Sequence, residues 1–346
     1  MVSAPTLAES FRIGVYHTEL SRDGPGLLLR DIQSGKDPQV LATLNVLRNA
    51  DADILVLAGF DFDAGLVALN AYADQLVSYP YRFALRPNRG LPTGADVDGD
   101  GKLGGPADAH GYARFSGQSG LAVLSRFQIE TDKSQDFSAL LWRELPGHNL
   151  PAGVFADLRL STTAHWRVPV RLPNGHLLDL LTWHATPPVF DGPEDRNGWR
   201  NHDETAFWLG FLDDESAKSP NNLPAIAGFA NLDPIDGDGR PEALRALLNY
   251  PGLIDPKPKS EGAVRATAID GGANVDHRGN PALDTVDWAD GPKGPGNLRV
   301  SYILPSTAFA VVASGVLWPD PGAPLGRDVN QASRHRLVWV DLELTD

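Results

Sequence analysis

The chain has 346 residues with a formal net charge of −14, 42% hydrophobic residues, 21% charged residues and no cysteine. The negative charge argues against a nucleic-acid-binding surface built on a general basic field, because neutralising phosphates requires clustered Lys and Arg. The absence of cysteine excludes disulfides, thiolate nucleophiles and Cys-ligated zinc. The composition is that of a globular protein with a substantial core, and we expect a single domain over residues 1–346.

The pattern of apolar residues in the first part of the chain predicts a strand, a helix and a second strand. Phe11–Tyr16 alternates apolar residues and predicts a short strand. Asp37–Asn49 has the i, i+3/i+4, i+7 apolar spacing of an amphipathic helix. Ile54–Leu57 is a continuous apolar run, which is typical of a strand buried on both faces.

Further along the chain, buried strands alternate with helices and with long loops rich in Gly, Pro and Asp. Helical periodicity is clearest at Asp203–Leu212 and Pro241–Leu248. The predicted strands are Leu121–Leu124, Leu177–Leu181, Leu223–Ala227, Val300–Leu304 and Leu337–Leu342. This alternation predicts an α/β fold.

Membrane attachment and secretion find no support in the sequence. It contains no run of about 18 apolar residues, and Met1–Ser10 lacks the basic and apolar regions of a signal peptide. We therefore expect a soluble protein without membrane or nucleic-acid partners. We also expect a monomer whose partner is a small-molecule ligand or substrate.

Six short segments follow one another in a fixed order along nearly the whole chain. They are Phe11–Tyr16, Asp51–Leu57, Gly120–Arg126, Ile226–Gly228 with Asn231–Pro234, Arg299 and Val300 with Tyr302–Pro305, and His335–Val338. Together they resemble the framework of the endonuclease/exonuclease/phosphatase superfamily, the group that contains DNase I and the abasic-site endonucleases. The resemblance implies two packed mixed β-sheets flanked by helices, with the active site at one edge where strand ends converge. It leaves a secreted parent protein open.

For chemistry, the resemblance implies a divalent cation, usually Mg²⁺, held by carboxylates, with a histidine and aspartates handling the proton of the attacking water. Mg²⁺ requires hard oxygen ligands, and the developing charge of a phosphodiester requires a cation beside it. The chain retains His184, His335 and Asn231 at family positions. At the other site positions and their neighbours it has His17, Ala58, Gly59, Phe229, Ala230, Ser301 and Arg334.

Four expected carboxylates are thus replaced, by Gly59, Phe229, Ser301 and Arg334, a local change of about five charge units toward positive. We therefore expect neither Mg²⁺ binding in the family's manner nor phosphodiester cleavage, and no cofactor to be required. Because the changes cluster at strand ends, they indicate a repurposed or engineered pocket. Gradual decay into an inactive pseudoenzyme is the alternative. A residual metal-dependent phosphoesterase, with its ligands at other positions, is a third hypothesis.

Several side chains are candidates for catalytic or ligand-binding roles in such a pocket. His17, His184 and His335 should converge, where they could bind Zn²⁺ or simply hydrogen-bond to their neighbours, and His335 or His17 could be a general base. The resulting hypothesis is metal-free proton abstraction or activated-ester hydrolysis on a small, flat apolar substrate. Binding without turnover is an equally open hypothesis.

The remaining candidates have supporting roles. Ser301, Asn231 and Arg334 are the predicted hydrogen-bond donors to an oxyanion, with Ser301 also a candidate nucleophile. Predicted ligand contacts are an aromatic wall from Trp183 and Phe229, space opened by Gly59 and Ala230, and the nearby carboxylates Glu19 and Asp61.

An acidic loop remote from these residues resembles a Ca²⁺-binding loop. Asp96, Asp98 and Asp100 alternate with Val97 and Gly99, which is the arrangement that turns oxygens inward around Ca²⁺. The bidentate glutamate of such loops is absent, and a solvated acidic turn is the alternative. The sequence thus predicts a structural Ca²⁺ site at most, with a weaker version at Asp233–Gly239.

Overall fold

The computed structural model of the chain describes residues 10–76, 78–214, 222–291 and 293–345. Residues 1–9, which make up most of the segment inspected for a signal peptide, lie outside the described residues. Within the described residues, none of the helices is both long enough and apolar enough to span a bilayer.

Thirteen strands and seven helices make up the described part of the chain. The strands are β1 (Phe11–His17), β2 (Ile54–Phe60), β3 (Tyr81–Phe83), β4 (Gly120–Ser125), β5 (Gln135–Asp136), β6 (His165–Arg171), β7 (Leu177–Trp183), β8 (Asn222–Phe229), β9 (Val286–Asp287), β10 (Asn297–Leu298), β11 (Ser301–Pro305), β12 (Phe309–Leu317) and β13 (Leu337–Leu344). The helices are α1 (Leu27–Ser34), α2 (Pro38–Ala50), α3 (Val67–Ala73), α4 (Arg196–Asp213), α5 (Glu242–Leu248), α6 (Glu261–Asp270) and α7 (Pro324–Ala332).

Two mixed sheets pack face to face. The first has the strand order β12-β13-β1-β2-β4-β3 and the second the order β11-β8-β7-β6-β5, while β9 and β10 form a separate pair. Only the β1–β2 and β7–β8 pairs are parallel; the other pairs are antiparallel. The main core lies between the sheets, and two further clusters bury their outer faces under α1, α2, α3 and α7 and under α4 and α5. The predicted four-layer α/β sandwich is confirmed.

Local signals in the sequence explain the elements that carry the site. The Asp37 side chain accepts a hydrogen bond from the Val40 N–H (2.8 Å), which caps α2, and Pro38 opens its first turn. All seven residues of β2 are buried, as its apolar run predicts. Asp53, which precedes β2, accepts hydrogen bonds from the Arg12 N–H and the Arg126 guanidinium and so ties β1, β2 and β4 together.

The topology brings several strand termini to one edge. β1 and β2 run parallel and end together, with His17 opposite Ala58. β13 runs antiparallel to β1 and therefore begins there. In the second sheet, Phe229 at the end of β8 lies opposite Ser301 at the start of β11. The candidate site residues therefore lie on the turns and strand ends at this edge.

Candidate functional site

Three imidazoles form the centre of the site. The His17 ring stacks on the His335 ring with a centroid separation of 4.4 Å and an interplanar angle of 25°. His184 meets His17 edge-on at 5.1 Å, and the Phe229 ring lies 5.9 Å from His17 and 5.6 Å from His184. The structure therefore places the three histidines together, above Phe229.

Burial keeps these imidazoles neutral. The pKa of His17 is lowered to about 4, chiefly by burial; Glu19 opposes this shift, and the positive charges of Arg89 and Arg334 contribute to it. Burial and the neighbouring His17 hold the pKa of His184 and of His335 well below the ordinary value. At neutral pH the rings are therefore unprotonated, and each has one N–H donor and one acceptor nitrogen.

The hydrogen-bonding capacity of these rings is incompletely used. The Nδ1 atoms of His17 and His335 are buried and have no hydrogen-bond partner among the described residues. His184 Nδ1 has only a long contact of 3.5 Å with the Thr163 hydroxyl. Buried polar atoms are normally paired, so these nitrogens are exceptions and leave the imidazoles with unused hydrogen-bonding capacity.

The His17 ring packs closely against the backbone at Gly59. Gly59 sits at an irregularity in the β2–β4 pairing with φ of +69°. A Cβ on Gly59 would lie 2.5 Å from His17 Cε1 and 2.9 Å from His17 Nδ1. The imidazole thus fills the space that a side chain at position 59 would need. The expected space beside Gly59 is not open, because His17 occupies it.

Glu19 and Arg334 form an ion pair at the rim. Glu19 accepts hydrogen bonds from the Arg334 backbone N–H (2.9 Å), the Arg334 guanidinium and the Ser333 hydroxyl (3.2 Å). Burial opposes ionisation of Glu19, but the hydrogen bonds from Arg334 outweigh it and lower the pKa of this carboxyl. Glu19 and Arg334 are therefore largely occupied by this ion pair.

Other predicted site residues face elsewhere. Trp183 packs beneath α4, 6.4 Å from the Trp208 ring, and Ala230 is buried in the same cluster. The predicted aromatic wall from Trp183 and the space expected at Ala230 are therefore wrong. The reason is strand alternation, which turns Leu178 and Leu180 toward the main core and Trp183 outward.

Three further candidate side chains are buried or hydrogen-bonded within the fold. Ser301 is 2% exposed, its hydroxyl is buried, and it is not among the residues that line the cavity above the imidazoles, so it lies beneath the cavity surface. The Asn231 side chain donates to the Ala185 carbonyl (2.6 Å). Asp61 accepts hydrogen bonds from the backbone N–H groups of Arg22 (2.8 Å) and Ser119 (2.9 Å), which bind loops together.

A cavity of about 500 Å³, which we call the histidine cavity, opens above the imidazoles. Sequence reasoning missed Trp288, whose ring stands perpendicular to that of His335 at 5.8 Å, and Arg89, which lies in a loop without a motif. The cavity is lined by His17, Glu19, Arg89, Ser119, His184, Pro187, Pro188, Val189, Phe190, Asn231, Leu232, Asp233, Gly237, Asp238, Trp288, Ala289, Lys293, Gly294, Pro295, Leu298, Arg334 and His335.

A second cavity of about 470 Å³, which we call the arginine cavity, adjoins the first. The two share Arg89, Pro187, Val189 and Phe190. The arginine cavity is lined by Arg89, Val97, Ala107, Ala109, Tyr112, Leu158, Thr162, Thr186, Pro187, Val189, Phe190, Arg196, Asn197 and Arg200.

The residues of the histidine cavity do not fit the Mg²⁺ ion that the resemblance implies. Glu19 is neutralised by Arg334, and Asp233 accepts three backbone N–H groups, from Ile235, Asp236 and Arg299. The donor nitrogens of the three histidines do not form a set lying within 4.8 Å of one another, a condition that only Asp96, Asp98 and Asp108 meet among the described residues. Neither a hard-cation site nor a three-histidine zinc site is formed.

The aspartates that lie together in the acidic loop differ from the predicted set. Asp96 and Asp98 gather with Asp108, not with Asp100. Asp100 instead accepts a hydrogen bond from the Lys102 N–H (2.8 Å). Asp108 accepts from the Val97 (2.7 Å) and Gly105 (2.9 Å) N–H groups, and the pKa of its carboxyl is lowered, with the Val97 hydrogen bond as the largest cause.

Comparison with known proteins places the chain in a family. Residues 32–335 match the Endonuclease/Exonuclease/phosphatase family. The chain is similar to the solved structure of an endonuclease/exonuclease/phosphatase from Beutenbergia cavernae DSM 12333, with a TM-score of 0.57 and 18% identity, covering 97% of this chain and 72% of that one. A family protein from Leptotrichia buccalis C-1013-b gives 0.54 and 13%, covering 97% and 100%.

Sphingomyelinase C from Streptomyces griseocarneus is also similar, with a TM-score of 0.52 and 15% identity, covering 96% of this chain and 99% of that one. No curated protein matches the sequence significantly. The structural likenesses, at these identities, establish the fold, while the family match spans most of the sequence. The chain belongs to the endonuclease/exonuclease/phosphatase family.

Proposed function

We propose that the histidine cavity binds a small organic molecule and that the chain does not hydrolyse phosphodiesters with Mg²⁺. The observation that carries this proposal is the chemistry of the strand ends: three neutral imidazoles and Phe229 lie where a hard cation would need carboxylates. On this view the family scaffold has been repurposed, and its pocket no longer offers a metal the ligands for phosphoester hydrolysis.

The lining favours a ligand with a flat apolar part and a few hydrogen-bonding groups. Trp288, Leu298 and Val189 supply apolar surface, and the imidazoles of His17, His184 and His335 supply polar contacts. Pockets for small molecules commonly combine an apolar lining with a few converging polar groups. A neutral imidazole can either donate or accept, so the histidines favour a neutral hydroxyl, carbonyl or amide group.

Metal-free proton transfer by His17 is a second candidate, favoured by the position of this imidazole in the cavity lining. With a pKa of about 4, the ring is already unprotonated at neutral pH and can accept a proton, although it is a weak base. A rate that depends on His17 should therefore rise as pH increases toward about 5 and stay level above it. Ser301 is not retained as a nucleophile, because its hydroxyl lies beneath the cavity surface.

The first experiment measures hydrolysis of bis(p-nitrophenyl) phosphate with added MgCl₂ and with EDTA. We expect no difference between the two conditions and no rate above the uncatalysed reaction. Hydrolysis that requires Mg²⁺ and disappears with EDTA would overturn the proposal and support a residual phosphoesterase.

The second experiment screens neutral aromatic compounds by thermal shift and calorimetry. Compounds that bind the parent protein should lose affinity in Trp288→Ala and His17→Ala, and should keep it in His176→Ala, a matched substitution of an exposed histidine outside both cavities. Loss of affinity in all three variants, or in none, would contradict binding in the histidine cavity. Turnover that disappears only in His17→Ala would identify the second candidate.

A further inference from the structure

The arginine cavity concentrates positive charge in an acidic protein. Arg89, Arg196 and Arg200 line it, and no Asp or Glu belongs to its lining among the described residues. The chain as a whole has a net charge of −14. Three guanidinium groups at one cavity therefore form a local anion-attracting field that the overall charge does not predict.

The guanidinium groups of two of these arginines have no hydrogen-bond partner among the described residues. Neither the Arg89 nor the Arg196 guanidinium makes a hydrogen bond or ion pair with a described residue, and Arg89 Nε is also buried. Arg200 differs, because it donates to the carbonyl groups of Leu160 and His110 and is fixed in place. Arg89 and Arg196 therefore retain their donors for a ligand, and planar guanidinium donors suit carboxylate and phosphate oxygens.

Thr162 belongs to the wall of the same cavity and offers no free donor. It is 4% exposed, and its backbone N–H donates to the buried Glu204 carboxyl. A side-chain hydrogen bond from Thr162 also acts to lower the pKa of that carboxyl. The donors left for a ligand are therefore those of Arg89 and Arg196.

Two aromatic side chains flank these donors. Tyr112 is 64% exposed and Phe190 is 90% exposed, and both line the arginine cavity. Phe190 also has φ of +69°, a left-handed conformation that a bulky residue adopts only at a cost. Large exposed rings at a cavity are typical of sites that stack on a flat ligand.

We propose that the arginine cavity binds an aromatic anion, a flat ring that carries a phosphate or carboxylate group. The anionic group contacts Arg89 and Arg196, and the ring lies against Tyr112 and Phe190. This site adjoins the histidine cavity, with which it shares Arg89 and Phe190, but the proposal does not depend on the function proposed for that cavity. Charged neighbours behind the wall are Asp61, which acts on Arg89, and buried Glu204, which acts on Arg200.

The test is calorimetric titration with phenyl phosphate, inorganic phosphate, benzoate and phenol at low ionic strength. We expect phenyl phosphate or benzoate to bind more tightly than inorganic phosphate, and phenol to bind more weakly than either aromatic anion. Arg196→Gln should weaken binding of the aromatic anion about tenfold, as expected for losing one charge-assisted hydrogen bond at a partly exposed site. Arg196→Lys should lose less.

Lys293→Gln is the matched control, since it removes one positive charge from the histidine cavity alone. It should change the affinity less than twofold, and thermal unfolding should show that all variants remain folded. Equal losses in Arg196→Gln and Lys293→Gln would overturn the proposal, as would equal affinities for phenyl phosphate, benzoate, inorganic phosphate and phenol, or no binding of any of the four. A loss on Tyr112→Ala confined to the aromatic anions would support the stacked ring.

Discussion

The contact between Gly59 and the His17 ring gives a prediction whose magnitude follows from the structure. An alanine Cβ at position 59 would lie 2.5 Å from His17 Cε1 and 3.0 Å from the Glu19 N atom. Crowding of this kind in a packed site costs about 1–3 kcal/mol. The left-handed φ of +69° adds about 1–2 kcal/mol. We therefore expect Gly59→Ala to lower the free energy of unfolding by about 2–5 kcal/mol.

A double-mutant cycle separates the two contributions. In a His17→Ala background the ring is absent, so Gly59→Ala should lose the cost of the His17 contact and keep the backbone contribution of about 1–2 kcal/mol together with the contact to the Glu19 N atom. Gly35→Ala is the control for that contribution, because Gly35 has φ of +62° and a Cβ there would meet nothing within 4 Å. Its cost should be the same with or without His17.

Urea denaturation followed by tryptophan fluorescence and circular dichroism measures all these variants. The explanation fails if Gly59→Ala costs no more than Gly35→Ala. It fails equally if the cost of Gly59→Ala is unchanged when His17 is removed, since the imidazole would then not be what fills the space.

Three further predictions follow from the same site and from the acidic loop. Burial lowers the pKa of His17 to about 4, so between about pH 4 and 6.5 the His17 ring binds a proton in the unfolded chain but not in the folded chain. The free energy of unfolding should therefore fall as pH drops through this window. In urea titrations, His17→Ala should make this fall shallower by up to about 1.4 kcal/mol per pH unit. Restoring the family's metal ligands should create Mg²⁺-dependent hydrolysis of bis(p-nitrophenyl) phosphate only if His17 is replaced too. The five substitutions are His17→Asn, Gly59→Glu, Phe229→Asp, Ser301→Asp and Arg334→Asp. A variant with the last four substitutions that retains His17 and is as active as the five-site variant would contradict this. If the acidic loop binds Ca²⁺, millimolar CaCl₂ should raise the Tm of the parent protein and not that of Asp108→Asn, and equal shifts in both would place the effect elsewhere.

The sequence predicts the framework well because the framework is apolar and periodic. The uniformly buried β2 and the capped α2 lie where their residues indicate. The apolar periodicity predicts a helix that starts at Asp203, but α4 begins at Arg196. Its first two turns bury polar residues, including Arg200 and Asn201, whose side chains bond to backbone carbonyls. Polar residues that face inward carry no hydrophobic periodicity.

The gathering of the three histidines was predictable, because topology alone sends β1, β7 and β13 to one edge. The direction of individual side chains was not. Leu180, Leu181 and Trp183 are all apolar, so the sequence cannot show which of the two faces of β7 points between the sheets. The unpaired state of Arg89 was equally hidden, since it depends on which loops lie beside it.

The two cavities favour different ligand chemistry although they meet at Arg89. In the histidine cavity, Arg334 is neutralised by Glu19, and burial removes the charge of the imidazoles. Adding a carboxylate there would raise the pKa of the histidines and draw in a cation, so the neutrality of the rings and the pairing of Glu19 with Arg334 support each other. In the arginine cavity the guanidinium groups cannot lose their charge in this way. A neutral group is therefore better accommodated on the histidine side of Arg89, and an anionic group on the other side.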